Sequence, residues 1–147
     1  MKLAAKLNGR QTIRTPHYDP GGGTAVDAGD IPLSRGAIWL MANSISHVAR
    51  PEEEGEWQYF SSSKKIGWKT GTSYGNRDAW AVGMTPDYAV GVWVGNCTGE
   101  GRPLMTGVGY AAPVLFEVFG LLPKGEWFAE PVGDLEPAVV CRQSGYL

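Results

Sequence analysis

Ile66-Gly67-Trp68-Lys69-Thr70-Gly71-Thr72 is followed by Asp78-Ala79-Trp80-Ala81-Val82-Gly83-Met84 and then by Tyr88-Ala89-Val90-Gly91-Val92-Trp93-Val94-Gly95. Each run is short, carries aromatic or β-branched residues, and is bounded by turn-forming residues, so the three read as strands at approximately 66–72, 78–84 and 88–95. Thr85-Pro86-Asp87-Tyr88 places proline at the second position of a turn, where its fixed φ is already correct. Strands joined by such short connections form an antiparallel meander. Val90, Val92 and Val94 alternate with Gly91, Trp93 and Gly95, which lines one face with valine and leaves Trp93 to cover the other.

The segments on either side read as helix and loop. Lys2 to Leu7 reads as a helix end stopped by Asn8-Gly9. Residues 15–32 hold Pro16, Pro20, Gly21-Gly22-Gly23, Gly29 and Pro32 and read as loop. Ser34 is a candidate N-cap, and Ile38, Met41, Ile45 and Val48 recur at helical spacing until Pro51, predicting a helix over about 34–48 with that stripe buried. Residues 52–65, acidic and then serine-rich, read as a solvated loop. A second helix is predicted over about 111–122, with Pro113 in its first turn and Leu115, Val118, Phe119 and Leu122 on one side. The fold class is therefore α+β, an antiparallel sheet flanked by helices. Residues 1–123 read as one domain portion, and 124–147 as an exit segment or linker toward a further domain.

Composition narrows the function classes. The 147 residues are 43% hydrophobic and 19% charged, a balance that suits one packed core. A net charge of −2 argues against a nucleic-acid partner, which requires a basic face. No apolar run approaches the ~20 residues of a membrane helix. Twenty-one glycines and ten prolines point to many tight turns rather than long helices.

Lys69-Thr70-Gly71-Thr72-Ser73 combines a cation, hydroxyls and a backbone position without Cβ on one strand. Such a strand can hold an acyl substrate's carboxylate: Lys69 supplies fixed positive charge, and Thr70 and Thr72 supply hydroxyl donors. Gly71 lets a substrate backbone lie against the strand as an added strand. The succession Gly67 to Gly75, then Arg77-Asp78-Ala79-Trp80-Ala81-Val82-Gly83, then Val90 to Gly95, resembles the transpeptidase domain of class A, bifunctional penicillin-binding proteins, most of all their 1C type. The resemblance rests on roughly Ser34 to Phe119 and implies a serine β-lactamase/D,D-transpeptidase-like fold. In its terms the chain is the C-terminal portion of a peptidoglycan D,D-transpeptidase, a penicillin-binding enzyme of cell-wall cross-linking. Lys69 and Thr72 would be catalytic, the Thr72 backbone N–H forming half of the oxyanion hole. Lys69, Thr70, Gly71, Thr72 and Ser73 would bind substrate. Implied partners are the D-Ala-D-Ala stem peptide and β-lactams, with no cofactor and no metal. The implied setting is the periplasmic side of the bacterial cytoplasmic membrane, with a membrane-anchored parent that could add a glycosyltransferase domain, while this portion itself would be soluble.

The family pattern runs S-x-x-K, then S-x-N, then K-T-G, and here the last alone stands in a fitting context. Ser61-Ser62-Ser63-Lys64 and Ser62-Ser63-Lys64-Lys65 match S-x-x-K as letters, but their polar setting reads as loop, whereas the family places its serine far upstream on a buried helix. No S-x-N triplet occurs. The expectation is a fragment with no nucleophile and little activity of its own. Two other readings stay open: a serine β-lactamase or β-lactam sensor fragment, which needs a deacylating base, and a non-catalytic peptidoglycan-binding module using tryptophan and the Lys69 strand.

Other patterns carry plainer readings. Gly107-Val108-Gly109-Tyr110-Ala111-Ala112 resembles a dinucleotide fingerprint, yet no strand precedes it and Pro113 follows where phosphate-facing N–H groups belong. His17 and His47 lack ligand-spaced partners for a metal. Trp68, Trp80 and Trp93 fall within predicted strands and read as core or sheet-face packing rather than a glycan platform. Cys97 and Cys141 define no disulfide framework. In the family the third strand pairs with one from the N-terminal part of the domain, so Val90 to Val94 is expected to present an apolar edge prone to self-association.

Overall fold

The computed structural model describes residues 1–15, 17–18, 22–51 and 64–146. Helix α1 (Lys2–Leu7) ends at Asn8 and Gly9, whose φ of +66° is the left-handed conformation glycine adopts without strain. Strands β1 (Thr12–Arg14) and β2 (Ala25–Asp27) form a small antiparallel hairpin pairing Ile13 with Val26. The 15–32 stretch read as loop thus contains a strand. Backbone hydrogen bonds from Thr15 to Thr24 and from Ala28 to Gln11 extend the pairing at both ends.

Helix α2 (Arg35–Ser46) begins where the sequence places it: the Ser34 hydroxyl accepts a hydrogen bond from the Ala37 N–H at 3.1 Å. Its buried stripe differs from the expected one. Ile38, Ala42 and Ser46 are buried, whereas Met41 and Val48 are exposed. The small side chains at 42 and 46 allow α2 to come close to its neighbours, which a bulkier residue there would prevent.

Strands β3 (Gly67–Thr72), β4 (Asp78–Met84) and β5 (Ala89–Gly95) form an antiparallel sheet in the order β3-β4-β5. The register sets Lys69 opposite Val82, Gly71 opposite Trp80, and Trp80 opposite Trp93. A π-helical turn, Gly107–Ala111, leads into helix α3 (Ala112–Leu121), with Pro113 in the first turn. The last helix thus opens with a wider turn than the sequence pattern predicts.

Helix α3 lies across one face of the sheet. Trp68, Ala79 and Ala81 join Leu115, Phe116 and Phe119 in the main core, and Val90, Val92 and Val94 pack at its margin. Trp68 meets Phe116 edge to face, with ring centroids 5.0 Å apart. Gly83 marks how closely the helix approaches, since a Cβ there would lie 2.7 Å from Phe119. A second core of Ala4, Leu7, Ile38, Ala42 and Phe128 joins α1 and α2 to the segment after α3, with Met84 packed against it. On the face opposite α3, α2 reaches the sheet at Gly67, where a Cβ would meet the Ala42 carbonyl at 3.2 Å. The helices therefore flank an antiparallel sheet in an α+β arrangement compatible with a transpeptidase-like fold.

Candidate functional site

Strand alternation divides the candidate residues between two faces. Lys69 and Gly71 share the face opposite α3, beyond the part that α2 covers, and both are exposed. The same open shelf carries Val82, Trp80 and Trp93, which are 53%, 48% and 43% exposed. Thr70 and Thr72 share the other face with Trp68 and lean toward the π-helical turn. The strand is also an edge of its sheet, pairing with β4 alone among the described residues. Its outer side can therefore accept a further extended chain.

Each side chain has a definite position. The Lys69 ammonium donates to the Thr70 carbonyl at 2.7 Å, so it folds along its own strand within reach of that edge. At Gly71 a Cβ would come no nearer than 3.8 Å to its neighbours, the closest being Trp80, which leaves the backbone there open to close approach. The Thr72 hydroxyl accepts from the Gly107 N–H at 3.0 Å, and its own hydrogen remains available for donation. Ser73 turns back into the hairpin: its hydroxyl accepts from the Asp78 N–H at 2.8 Å, and its own N–H donates to the Asp78 carbonyl at 2.9 Å. Ser73 is thus committed to holding the turn, while Lys69 and Gly71 remain presented.

Gly107 is the supporting residue that sequence reasoning passes over. Its Cβ would lie 2.6 Å from both the Gly71 and Trp80 carbonyls and 2.8 Å from Thr70. The chain can pass against β3 and β4 only because that atom is missing. The signal was present as the Gly-x-Gly before the last helix, set aside as a nucleotide loop without its packing role being found. The turn after β3 is braced as well: Asn76, at φ +53°, donates through its side chain to the Met105 carbonyl at 2.8 Å.

The two ends of the preceding segment are anchored. Lys64 donates to the carbonyls of Phe119, Gly120 and Leu122, capping the C-terminus of α3. Arg50 donates to the Lys64 carbonyl at 2.6 Å and stacks 4.6 Å above Phe116. Lys65 donates to Asn43 at 2.7 Å and lies 4.9 Å over Trp127, and burial lowers its pKa below the ordinary lysine value. Both lysines of the S-x-x-K letters thus serve packing, and Ser61, Ser62 and Ser63 lie outside the described residues.

Two clefts among the described residues lie away from the candidate strand. One of about 470 Å³ opens between α1, the β1–β2 hairpin and the β4–β5 turn. Another of about 350 Å³ lies beyond the end of β5, beside Cys97, Arg102 and Tyr110. Neither is lined by Lys69 or Gly71, because the candidate strand faces open solvent rather than a closed pocket. Among the described residues no group of acidic, histidine or cysteine side chains could hold a metal. Cys97 and Cys141 are both free thiols.

The comparisons converge on one kind of protein. Over 92 residues the chain is 35% identical to penicillin-binding protein 1C of Escherichia coli (strain K12), a match covering 61% of this chain and 11% of that protein. Over that stretch the chain is similar to a penicillin-binding protein. A second match, 39% identical over 74 residues, is to penicillin-binding protein 1A of Mycobacterium tuberculosis (strain ATCC 25618 / H37Rv), covering 46% of this chain and 8% of that protein. The chain thus spans about a tenth of the length of these penicillin-binding relatives. No protein-family model and no solved structure matches it. No helix among the described residues is long and apolar enough to cross a membrane.

Proposed function

We propose that this chain supplies the substrate-holding strand of a peptidoglycan D,D-transpeptidase of the class A penicillin-binding type. The observation that carries the reading is the open edge of β3, on which Lys69 and Gly71 stand exposed beside a threonine on either side of the glycine. Kinship with two penicillin-binding proteins supports it. A stem peptide ending in D-Ala-D-Ala, or a β-lactam of the same shape, lies along β3 as an added strand with its terminal carboxylate at Lys69 and Thr70.

In this account the nucleophilic serine comes from outside the described residues, upstream in a longer protein. Its oxygen bonds to the carbonyl of the penultimate D-alanine, the amide bond to the terminal D-alanine breaks, and the proton leaves with that amine. An acceptor amine then attacks the ester and regenerates the serine. The Thr72 backbone N–H serves as one donor to the oxyanion. Losing such a donor costs ~10²–10³ in rate. The periplasmic, membrane-anchored setting and any glycosyltransferase domain belong to that longer protein, as does deacylation, where a β-lactamase or sensor would differ.

A second reading has its own support: Lys69, Trp80 and Trp93 share one uncovered face, which suits a non-catalytic module that binds muropeptides. Substitution separates the two. In a longer form carrying the serine, Lys69→Ala is expected to slow acylation by penicillin about 10²-fold or more, the usual consequence of truncating one partner of a charge pair. An unchanged rate would remove Lys69 from the site. Saturable muropeptide binding by the 147-residue chain alone, lost in Trp80→Ala, would favour the binding module.

A further inference from the structure

The proposed placement of substrate on β3 gives the peptide a direction. With its terminal carboxylate at Lys69 and Thr70 and its reacting carbonyl at the Thr72 backbone N–H, the peptide runs antiparallel to the strand, and its earlier residues continue past Thr72. Extended chains advance ~3.3 Å per residue. The residue that precedes the D-Ala-D-Ala pair therefore comes level with Ser73 and Tyr74, where β3 gives way to the turn before β4.

Ser73 is already engaged there, since its hydroxyl accepts from the Asp78 N–H and its N–H donates to the Asp78 carbonyl. Tyr74 is 97% exposed, and the backbone on which it stands is held from two sides. The Asn76 N–H donates to the Ser73 carbonyl at 3.1 Å, and Gly75 and Asn76 both take left-handed backbone, at φ +74° and +53°. From the neighbouring loop the Arg102 N–H donates to the Asn76 carbonyl at 3.0 Å, and the Asn76 side chain donates to the Met105 carbonyl at 2.8 Å. A Cβ on Gly101 would collide with the Gly75 carbonyl, so that loop lies directly against the turn. These braces all lie within residues 73–105, and they set the place of the ring at the end of β3 whatever precedes it in a longer protein. A tyrosine has two χ angles, and on a braced backbone it presents a large apolar face that loses little freedom on binding.

We propose that Tyr74 is a specificity-determining residue for the acyl donor, its ring face receiving the aliphatic side chain of the residue before D-Ala-D-Ala. The inference rests on the transpeptidase reading and extends its site beyond Lys69 to Thr72. The carboxylate and oxyanion contacts on β3 are the same for every donor. The ring separates donors, because a long side chain covers it and glycine does not.

The test uses a longer form carrying the serine and compares kcat/KM for release of D-alanine from two peptides, one with acetylated lysine and one with glycine before D-Ala-D-Ala. Acylation by the bare penicillin nucleus, which has an amine in place of the acyl side chain, is measured beside them. Tyr74→Ala is expected to lower the preference for the lysine peptide about 10-fold, the low end of what one methylene contact discriminates. Tyr74→Phe should keep the preference, and the nucleus should acylate all three forms at one rate. An unchanged preference in Tyr74→Ala, with acylation by the nucleus intact, overturns this inference and leaves the transpeptidase reading standing. Slower acylation of Tyr74→Ala by the nucleus also overturns it, because the residue would then act through the strand, and loss of the preference in Tyr74→Phe overturns the ring contact. If neither the peptides nor the nucleus acylates the unsubstituted longer form, the reading and the inference fall together.

Discussion

Gly107 has no room for a side chain, and that one position links the π-helical turn to the candidate strand. Its missing Cβ would sit 2.6 Å from two strand carbonyls, so Gly107→Ala must push the turn away from β3 and β4. The expected cost is ~1–3 kcal/mol, as for overpacking elsewhere, read as a lower urea midpoint at unchanged slope. A wild-type midpoint would mean that the turn yields freely and does not brace the strand. Cys141 offers a different residue-level test. Hydrogen bonds from the Ser144 side chain, then from the backbone N–H groups of Ser144 and Gln143, favour its thiolate and lower its pKa to about 7. Because the thiolate is the reactive form, its alkylation rate should rise with pH, reach half its plateau near pH 7, and level off above. Ser144→Ala should move that midpoint upward toward the ordinary thiol value, and an unmoved midpoint would exclude Ser144 as the principal cause.

Helix α3 is the element on which the sheet depends, and two side chains show how. Leu115 is fully buried between the helix and β4, so Leu115→Ala should destabilise the fold by ~2–5 kcal/mol in chemical denaturation. Lys64 reaches three carbonyls at the helix C-terminus, and Lys64→Met should cost about 1 kcal/mol by removing that cap while keeping its alkyl stem. A Lys64→Met protein as stable as its parent would show that water caps the helix equally well. The meander was legible because Val90, Val92 and Val94 alternate with glycine and tryptophan, a period that only a strand satisfies, and because Pro86 sits where a turn requires it. The Lys69–Thr72 strand was legible for the same reason. The β1–β2 hairpin was not: three-residue strands are too short to show a period, and the glycine and proline around them signal loop. The buried stripe of α2 was misread because hydropathy points to Met41 and Val48, whereas close packing selects Ala42 and Ser46. Gly107 was visible as a glycine, but its role depends on strands some 35 residues away in sequence, through Thr72.

At the scale of the whole molecule, two cores lie on opposite faces of one sheet and leave part of it bare. The α3 core covers the face of Trp68, and among the described residues the α1–α2 core meets the other face at Gly67 and Met84. Lys69, Gly71, Trp80, Val82 and Trp93 remain on the uncovered part, where an exposed lysine and two half-exposed tryptophans adjoin an open strand edge. That arrangement is the basis of the proposed reading as a strand that holds substrate and completes a longer enzyme's site. The most direct test is covalent labelling by a fluorescent penicillin, read by intact mass, on this chain and on a longer form extended upstream to include an S-x-x-K helix. The account predicts that only the longer form gains the acyl mass. Labelling of the 147-residue chain itself would contradict it by placing a nucleophile within these residues, with Ser61 to Ser63 the first to substitute, and labelling of neither form would contradict the transpeptidase reading altogether.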